Sequence, residues 1–236
     1  MMINLTNKPQ TELFKISTII WLSLLCAMVW LFIELALLVN SGEPISIDRS
    51  IMLAMRNPLD MSDPIGPRWF EELMRDITAL GGTGILTLAT LLASTCLFIQ
   101  KNKALAWFVI VTISAGMLCS SLLKYGFSRP RPDLVAHGSY VYTTSFPSGH
   151  SMMSALVYFI LCGILVQLQQ QRHIQIFLLV TTGIVVMLIG LSRIYLGVHW
   201  PTDVLAGWSA GCFWALLSYR LLRYWQKRGK LSVKTS

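Results

Sequence analysis

The sequence predicts an all-α, polytopic membrane protein built as a bundle of six transmembrane helices. Its 236 residues are 54% hydrophobic and 13% charged, and the mean hydropathy is +0.60. Soluble domains carry roughly 25% charged residues. Six apolar runs approach or exceed the roughly 17 residues that a helix needs to cross a bilayer. We therefore expect one integral-membrane domain over residues 1–236.

The first apolar run, residues 16–39, follows a polar amino-terminal stretch. The run is longer than the apolar core of a signal peptide and no small-residue cleavage site follows it, which predicts a retained transmembrane helix. The other five predicted spans cover residues 77–99, 104–123, 151–168, 174–191 and 204–225.

Residues 41–76, between the first two spans, contain several prolines and most of the acids. Ile47, Ile51 and Met55 recur at four-residue spacing among charged residues, which favours a short interfacial helix. A solvated loop is the alternative.

The lysines and arginines predict the orientation, because cytoplasmic segments of membrane proteins are enriched in them. With the amino terminus in the cytoplasm, the inner segments hold one acid, Glu12, and the basic residues Lys8, Lys15, Lys101, Lys103, Arg172, Arg220, Arg223, Lys227, Arg228, Lys230 and Lys234. The outer segments carry no net positive charge. This predicts a cytoplasmic (inner) membrane protein with both termini inside, and it explains the net charge of +8 without a nucleic-acid partner.

Three groups of polar residues lie at ends of the predicted spans in the second half of the chain. An alternating path through the membrane places all three on the non-cytoplasmic side, where we expect one site. The groups are Lys124 with Arg131-Pro132, then Pro147-Ser148-Gly149-His150, and then Ser192-Arg193 with His199 and Asp203.

The three cations of these groups, Lys124, Arg131 and Arg193, predict an anion site. A phosphoryl group keeps negative charge on its equatorial oxygens during transfer, and fixed cations stabilise that charge. Any one of them alone is more typical of an interfacial side chain that extends towards water. Their combination with histidines favours phosphate chemistry.

The second group lies where a loop enters the fourth predicted span. A helix amino terminus presents unpaired N–H groups, and Gly149 allows an anion to approach the backbone. Ser148 is suited to capping this helix, to donating its hydroxyl to a phosphate, or to both. His150 is placed to protonate a leaving oxygen.

His199 and Asp203 lie four residues apart around Pro201, which suits the first turn of a helix. This spacing puts both side chains on one helix face, so the carboxylate can hold one ring nitrogen and leave the other free for nucleophilic attack. The alternative is that Asp203 only caps the helix.

The motifs Lys124-x6-Arg131-Pro132, Pro147-Ser148-Gly149-His150 and Ser192-Arg193-x5-His199-x3-Asp203 together resemble the signature of the type-2 phosphatidic acid phosphatase superfamily, also called lipid phosphate phosphatases. The motif region covers residues 124–203. The resemblance implies that His199 attacks phosphorus to form a phosphohistidine, that Asp203 orients His199, and that His150 protonates the departing oxygen. It also implies that the phosphoryl oxygens are bound by Lys124, Arg131, Ser148, Gly149 and Arg193.

The resemblance implies a metal-independent hydrolase without a cofactor. We expect it to remove the terminal phosphate of a lipid phosphate or diphosphate at the outer membrane face, with phosphatidate, phosphatidylglycerol phosphate and undecaprenyl diphosphate as candidate substrates. Alternatives are a lipid-to-lipid phosphotransferase and a non-catalytic transporter or scaffold. Arg129 is a possible auxiliary phosphate contact, since only Arg131 has the six-residue gap from Lys124. The role of Glu34 in the first span is left open, as is the oligomeric state.

Overall fold

The structure, a computed structural model, describes residues 8–42, 45–135, 143–229 and 231. These residues form mostly helices, as predicted, together with one small hairpin of strands that the all-α prediction did not include. The helices are α1 (Lys8–Asn40), α2 (Ser46–Ala54), α3 (Arg68–Leu80), α4 (Thr83–Ile99), α5 (Lys103–Gly126), α6 (Gly149–Leu168), α7 (Arg172–Tyr195) and α8 (Pro201–Lys227), and the antiparallel strands are β1 (Arg56–Asn57) and β2 (Asp60–Pro64). Lys230 and Lys234, which count towards the predicted orientation, lie outside the described residues.

Four of the described helices are long and apolar enough to cross a membrane: α1 over Thr18–Asn40, α5, α6 and α7. Helices α3 and α4 meet at a bend of 48° and provide a fifth crossing if the pair is one span. Helix α8 occupies the position of the sixth predicted span and has 27 residues, but it does not reach the same apolar content. The chain is therefore a multi-pass membrane protein, and the count of six remains a prediction.

The modest apolar content of α8 follows from its packing against α6. A Cβ atom at Gly207 would lie 2.6 Å from the Ser148 carbonyl oxygen, and one at Gly211 would lie 2.4 Å from the Met152 carbonyl oxygen. Small residues on a membrane helix let two backbones approach closely. Since this face of α8 contacts protein, it does not need the large apolar side chains of a lipid-facing helix.

The second predicted span, residues 77–99, is interrupted in the structure. Residues 77–80 end α3, and α4 begins only after Gly81 and Gly82. A Cβ atom at Gly81 would lie 2.5 Å from Cγ2 of Ile189 on α7 and 3.3 Å from Cδ2 of His150 on α6. The break therefore lets the backbone pass close to two neighbouring helices, a tertiary contact that hydropathy does not reveal.

The segment between α1 and α3 folds over the ends of α7 and α8. The predicted interfacial helix is present as α2, but its buried residues are Asp48 and Met52, whereas Ile47 is 60% exposed. Ile51 and Met55 of the predicted apolar face are partly buried and pack against the same cluster as Met52. Downstream of α2, the buried Arg56 donates from Nη2 to the Tyr195 carbonyl oxygen at 2.8 Å.

Helix α1 packs along α8. Near its carboxyl end, Leu35 forms an apolar cluster with Phe146 and Ala206, and Phe32 and Phe127 pack against that cluster. This contact supports residues 143–148 from one side, immediately before α6 begins.

We expect Gly211→Ala to lower the Tm by roughly 2–10 °C, because the added methyl group must displace the α6 backbone. Gly183→Ala on α7 is the matched control, since a Cβ there meets nothing within 4 Å, and alanine is the better helix former. Thermal unfolding in detergent gives the Tm of both variants. Equal Tm values for the two would contradict the close α6–α8 contact.

Candidate active site

The three predicted groups of residues meet at one cavity of about 320 Å³ at one end of the helix bundle. The carboxyl ends of α3, α5 and α7 and the amino ends of α4, α6 and α8 converge here. The predicted site residues that line the cavity are Lys124, Arg131, Gly149, His150, Arg193 and His199. Each predicted group thus contributes at least one side chain or backbone segment.

His199 and Asp203 form the least exposed pair of the site. Nδ1 of His199 lies 3.4 Å from Oδ2 of Asp203, and the side chains are 2% and 0% exposed. The same oxygen accepts hydrogen bonds from the Trp200 backbone N–H at 3.0 Å and the Ser145 hydroxyl at 2.5 Å. Asp203 therefore both caps α8 and holds His199. With Nδ1 directed to Asp203, Nε2 is the ring nitrogen on the other side, 3.3 Å from Nη1 of Arg131.

The surroundings of His199 favour a neutral imidazole. Burial lowers the pKa of His199 to about 4, the hydrogen bond and the charge of Asp203 act in the opposite direction, and the charges of Arg131 and Arg193 add to the lowering. Desolvation disfavours the charged form of a buried histidine. At neutral pH the ring therefore has a nitrogen lone pair available for attack.

Arg131 is fixed by backbone carbonyls. Its Nη1 donates to the Val198 carbonyl oxygen at 2.7 Å, and its Nε donates to the Thr143 carbonyl oxygen at 2.8 Å. Burial lowers the pKa of Arg131, and the charge of Asp203 opposes this effect. An arginine remains protonated in proteins in spite of such shifts. Lys124 is held nearby, with Nζ 3.1 Å from the Thr144 carbonyl oxygen.

Arg193 is placed at the end of α7, inside the helix and not in the following loop as the sequence suggested. The residue is 2% exposed, and its Nη1 donates to the Thr78 hydroxyl at 2.9 Å. Its Nε–H has no hydrogen-bond partner among the described residues. A buried unpaired donor is costly, so the Arg193 guanidinium is well suited to receive an anion in the cavity.

At the start of α6, Ser148 and Gly149 lie in different positions relative to the cavity. Ser148 is fully buried outside the cavity lining, where its hydroxyl accepts from the Ser151 backbone N–H at 3.5 Å and the Ser151 hydroxyl at 3.0 Å. The capping role is thus observed, and the phosphate contact remains a prediction. Gly149 does line the cavity, and a Cβ there would lie 3.2 Å from Cε of Lys124.

The sequence did not identify Ser145 or Asp48 as residues of the site, and it suggested Arg129 as an auxiliary phosphate contact. Ser145 lies on Asp203, and Arg129 lies behind Asp203 rather than in the cavity lining, with Nη1 2.5 Å from Oδ1. Asp48 is buried beside Arg129. No sequence pattern links Arg129 to α2. Glu34 is exposed on α1 and does not line the cavity.

Among the described residues, no group of three or more histidine, cysteine, aspartate or glutamate side chains is placed to hold a metal ion.

Comparison with protein families gives one match over most of the carboxyl-terminal half. Residues 104–227 match the family model described as the PAP2 superfamily. Phosphatidylglycerophosphatase B of Bacillus subtilis is 31% identical over 190 residues, which cover 76% of this chain and 85% of the relative. An undecaprenyl-diphosphatase of Sulfolobus acidocaldarius is 24% identical over 131 residues, which cover 53% of this chain and 59% of the relative.

Two solved structures are similar to this fold. The crystal structure of a transmembrane PAP2-type phosphatidylglycerolphosphate phosphatase from Bacillus subtilis has a TM-score of 0.70 at 28% identity, covering 84% of this chain and 96% of that one. The crystal structure of Aquifex aeolicus LpxE has a TM-score of 0.51 at 25% identity, covering 74% and 93%.

The pKa of His199 is open to direct measurement. We expect about 4 in the folded protein, against roughly 6.5 for an unperturbed histidine. The unfolded chain then binds the proton more readily, so the contribution of His199 to stability is complete above pH ~6.5 and is lost as the pH falls towards 4. NMR titration of ¹⁵N-histidine protein, with His199→Gln to assign the resonance, measures the value. A pKa of 6.5 or higher would contradict the expected dominance of burial.

Proposed function

Since the chain belongs to the PAP2 superfamily, we propose that this membrane lipid phosphatase removes a terminal phosphate through a phosphohistidine formed on His199. The observation that carries the proposal is the position of His199 between a buried carboxylate and a cavity lined by cations. Nδ1 faces Asp203, and Lys124, Arg131 and Arg193 line the cavity with His199. This arrangement combines an oriented nucleophile with a binding site for the group it attacks.

Binding of the phosphate in the cavity uses fixed positive charge. The guanidinium of Arg193 offers its unpaired Nε–H, while Arg131 and Lys124 are already held by backbone oxygens near their positions of use. The Gly149 amide at the start of α6 adds a donor at a helix amino terminus. Such preorganised groups stabilise the charge on the transferring phosphoryl group without moving during the reaction.

The first step transfers the phosphoryl group to the enzyme. The Nε2 lone pair of His199 attacks phosphorus, the bond from phosphorus to the lipid oxygen breaks, and His150 gives that oxygen a proton. Asp203 stabilises the positive charge that develops on the imidazole. In the second step, His150 removes a proton from water, the resulting hydroxide attacks phosphorus, and the P–N bond breaks. Free phosphate leaves and both histidines return to their starting states.

The proposed binding site for the lipid tail is an apolar cavity of about 210 Å³ between α4, α5 and α6. It shares Thr83, Met117 and Met153 with the catalytic cavity. Its remaining lining consists largely of aliphatic and threonine side chains, namely Leu86, Thr87, Thr90, Leu91, Ile110, Ile113, Ser114 and Val157. A lipid could thus place its phosphate among the cations and its chain between helices.

Phosphatidylglycerol phosphate is the first substrate to test, because the similarity to phosphatidylglycerophosphatase B extends over most of both chains. Undecaprenyl diphosphate, suggested by the shorter match to an undecaprenyl-diphosphatase, and phosphatidate complete the panel. We propose that hydrolysis needs no metal, since three cationic side chains supply the positive charge. We also propose six crossings in one domain, with the cavity at the outer face of the cytoplasmic membrane.

His199→Ala should lower phosphate release from phosphatidylglycerol phosphate by roughly 10³-fold or more, because no other group replaces the nucleophile. The assay uses purified protein in excess EDTA, and His173→Ala on the exposed start of α7 is the control. Full activity of His199→Ala would exclude the phosphohistidine. Labelled phosphate that appears on a second lipid rather than in solution would instead identify a phosphotransferase.

The orientation is tested by reporter fusions after Lys101 and at the carboxyl terminus. Both should report the cytoplasm, since the predicted inner segments hold most of the basic residues. Lys101 connects α4 and α5 at the end of the bundle away from Lys124. An external signal from both fusions would place the cavity on the cytoplasmic face.

A further inference from the structure

The proposed mechanism leaves unused a buried chain of charges behind Asp203. Nη1 of Arg129 lies 2.5 Å from Oδ1 of Asp203, and Nη2 of the same guanidinium lies 2.8 Å from Oδ2 of Asp48. The side chains of Asp48, Asp203 and Arg129 are 1%, 0% and 11% exposed. One arginine thus bridges a carboxylate of α2 and a carboxylate of α8, two helices that are far apart in the sequence.

Asp48 also binds the first turn of α8 directly. Its Oδ1 accepts from the Thr202 backbone N–H at 2.9 Å, and its Oδ2 accepts from the Thr202 hydroxyl at 2.6 Å. Arg129 donates to the same hydroxyl at 2.7 Å, and its guanidinium lies 5.4 Å from the ring centroid of Trp200. Helix α2 therefore holds Thr202 directly, and Arg129 contacts the residues on both sides of Pro201 as well as Asp203.

The charges of this group do not cancel. Two carboxylates share one guanidinium, which leaves a net charge of −1 in a largely buried cluster. Arg129 divides its attraction between Asp48 and Asp203, so Asp203 is only partly neutralised. The remaining negative charge faces His199 through Oδ2, where the mechanism requires stabilisation of a developing positive charge.

We propose that Arg129 and Asp48 are positioning residues that hold Asp203 and set the negative charge it presents to His199, so that α2 takes part in preparing the nucleophile. The inference rests on the roles proposed above for His199 and Asp203. It gives the amphipathic segment before α3 a function in catalysis, although that segment lies outside the residues matched by the family model.

The direction of the His199 pKa shift distinguishes this electrostatic effect from general damage to the fold. Removing the negative charge of Asp48 leaves Arg129 to neutralise Asp203, so imidazolium at His199 is less stabilised and the His199 pKa falls. Removing the positive charge of Arg129 has the opposite effect. The other charged or titratable groups that act on His199 are Arg131 from the α5–α6 connection, Arg193 from α7 and His150 from α6, and they are the same in every variant.

The test compares Asp48→Asn, Arg129→Gln and the double variant by NMR titration of His199 in detergent-solubilised protein. We expect a decrease of roughly 0.5–1 pKa unit in Asp48→Asn, an increase of similar size in Arg129→Gln, and a value near wild type in the double variant. Asparagine has the shape of aspartate and keeps an acceptor for Thr202. Asp60→Asn, in the exposed hairpin, should leave the titration unchanged.

Kinetics give the second readout. Asp48→Asn should lower kcat on phosphatidylglycerol phosphate by roughly three- to tenfold with KM unchanged, because the change acts on the nucleophile and not on phosphate binding. If Arg129→Gln does not fold, Arg129→Lys replaces it and should keep the His199 pKa near wild type, since the charge is retained.

Shifts of the same sign in both single variants, or no shift in Asp48→Asn, would overturn the proposal. The titration is made on resting enzyme, so it remains decisive if His199→Ala proves active. In that case the phosphohistidine is excluded, and the coupling of Asp48 to His199 is judged separately by its pKa.

Discussion

The carboxylate of Asp203 is the group on which the arrangement of the site depends. It lies in the first turn of α8. One of its oxygens accepts hydrogen bonds from the Trp200 backbone N–H and the Ser145 hydroxyl and also faces His199. The other oxygen pairs with Arg129. A fully buried carboxylate is costly unless it is paired and hydrogen-bonded. Its direct partners come from the connection between α5 and α6, which supplies Arg129 and Ser145, and from the turn before α8. Helix α2 is linked to Asp203 only through Arg129, which also pairs with Asp48.

The apolar part of the fold places this charged centre at the end of the bundle. Helices α6 and α8 approach closely because Gly207 and Gly211 lack side chains that would hold them apart. The same contact joins the two halves of the site, since the Ser148 backbone N–H at the start of α6 donates to the Asp203 carbonyl oxygen at 3.0 Å. The packing of α6 against α8 therefore sets the distance between His150 and His199.

The second predicted span shows how packing alters an element that hydropathy predicts well. The apolar run of residues 77–99 is present, but α3 and α4 divide it at Gly81 and Gly82. The division places Thr78 beside Arg193 and Gly81 beside His150. The backbone at this bend therefore forms one wall of the cavity, next to His150.

The sequence by itself determined the helical membrane class, the family and six of the residues that line the cavity, because these depend on local composition and on fixed spacings such as that of His199 and Asp203. It also predicted the short helix α2. Tertiary structure alone decided the break between α3 and α4, the burial of Ser148 as a cap, and the pairing of Arg129 with Asp48 and Asp203. The physical reason is that a buried charge takes its partners from whichever segments the packed helices bring near, and separation along the chain carries no information about that proximity.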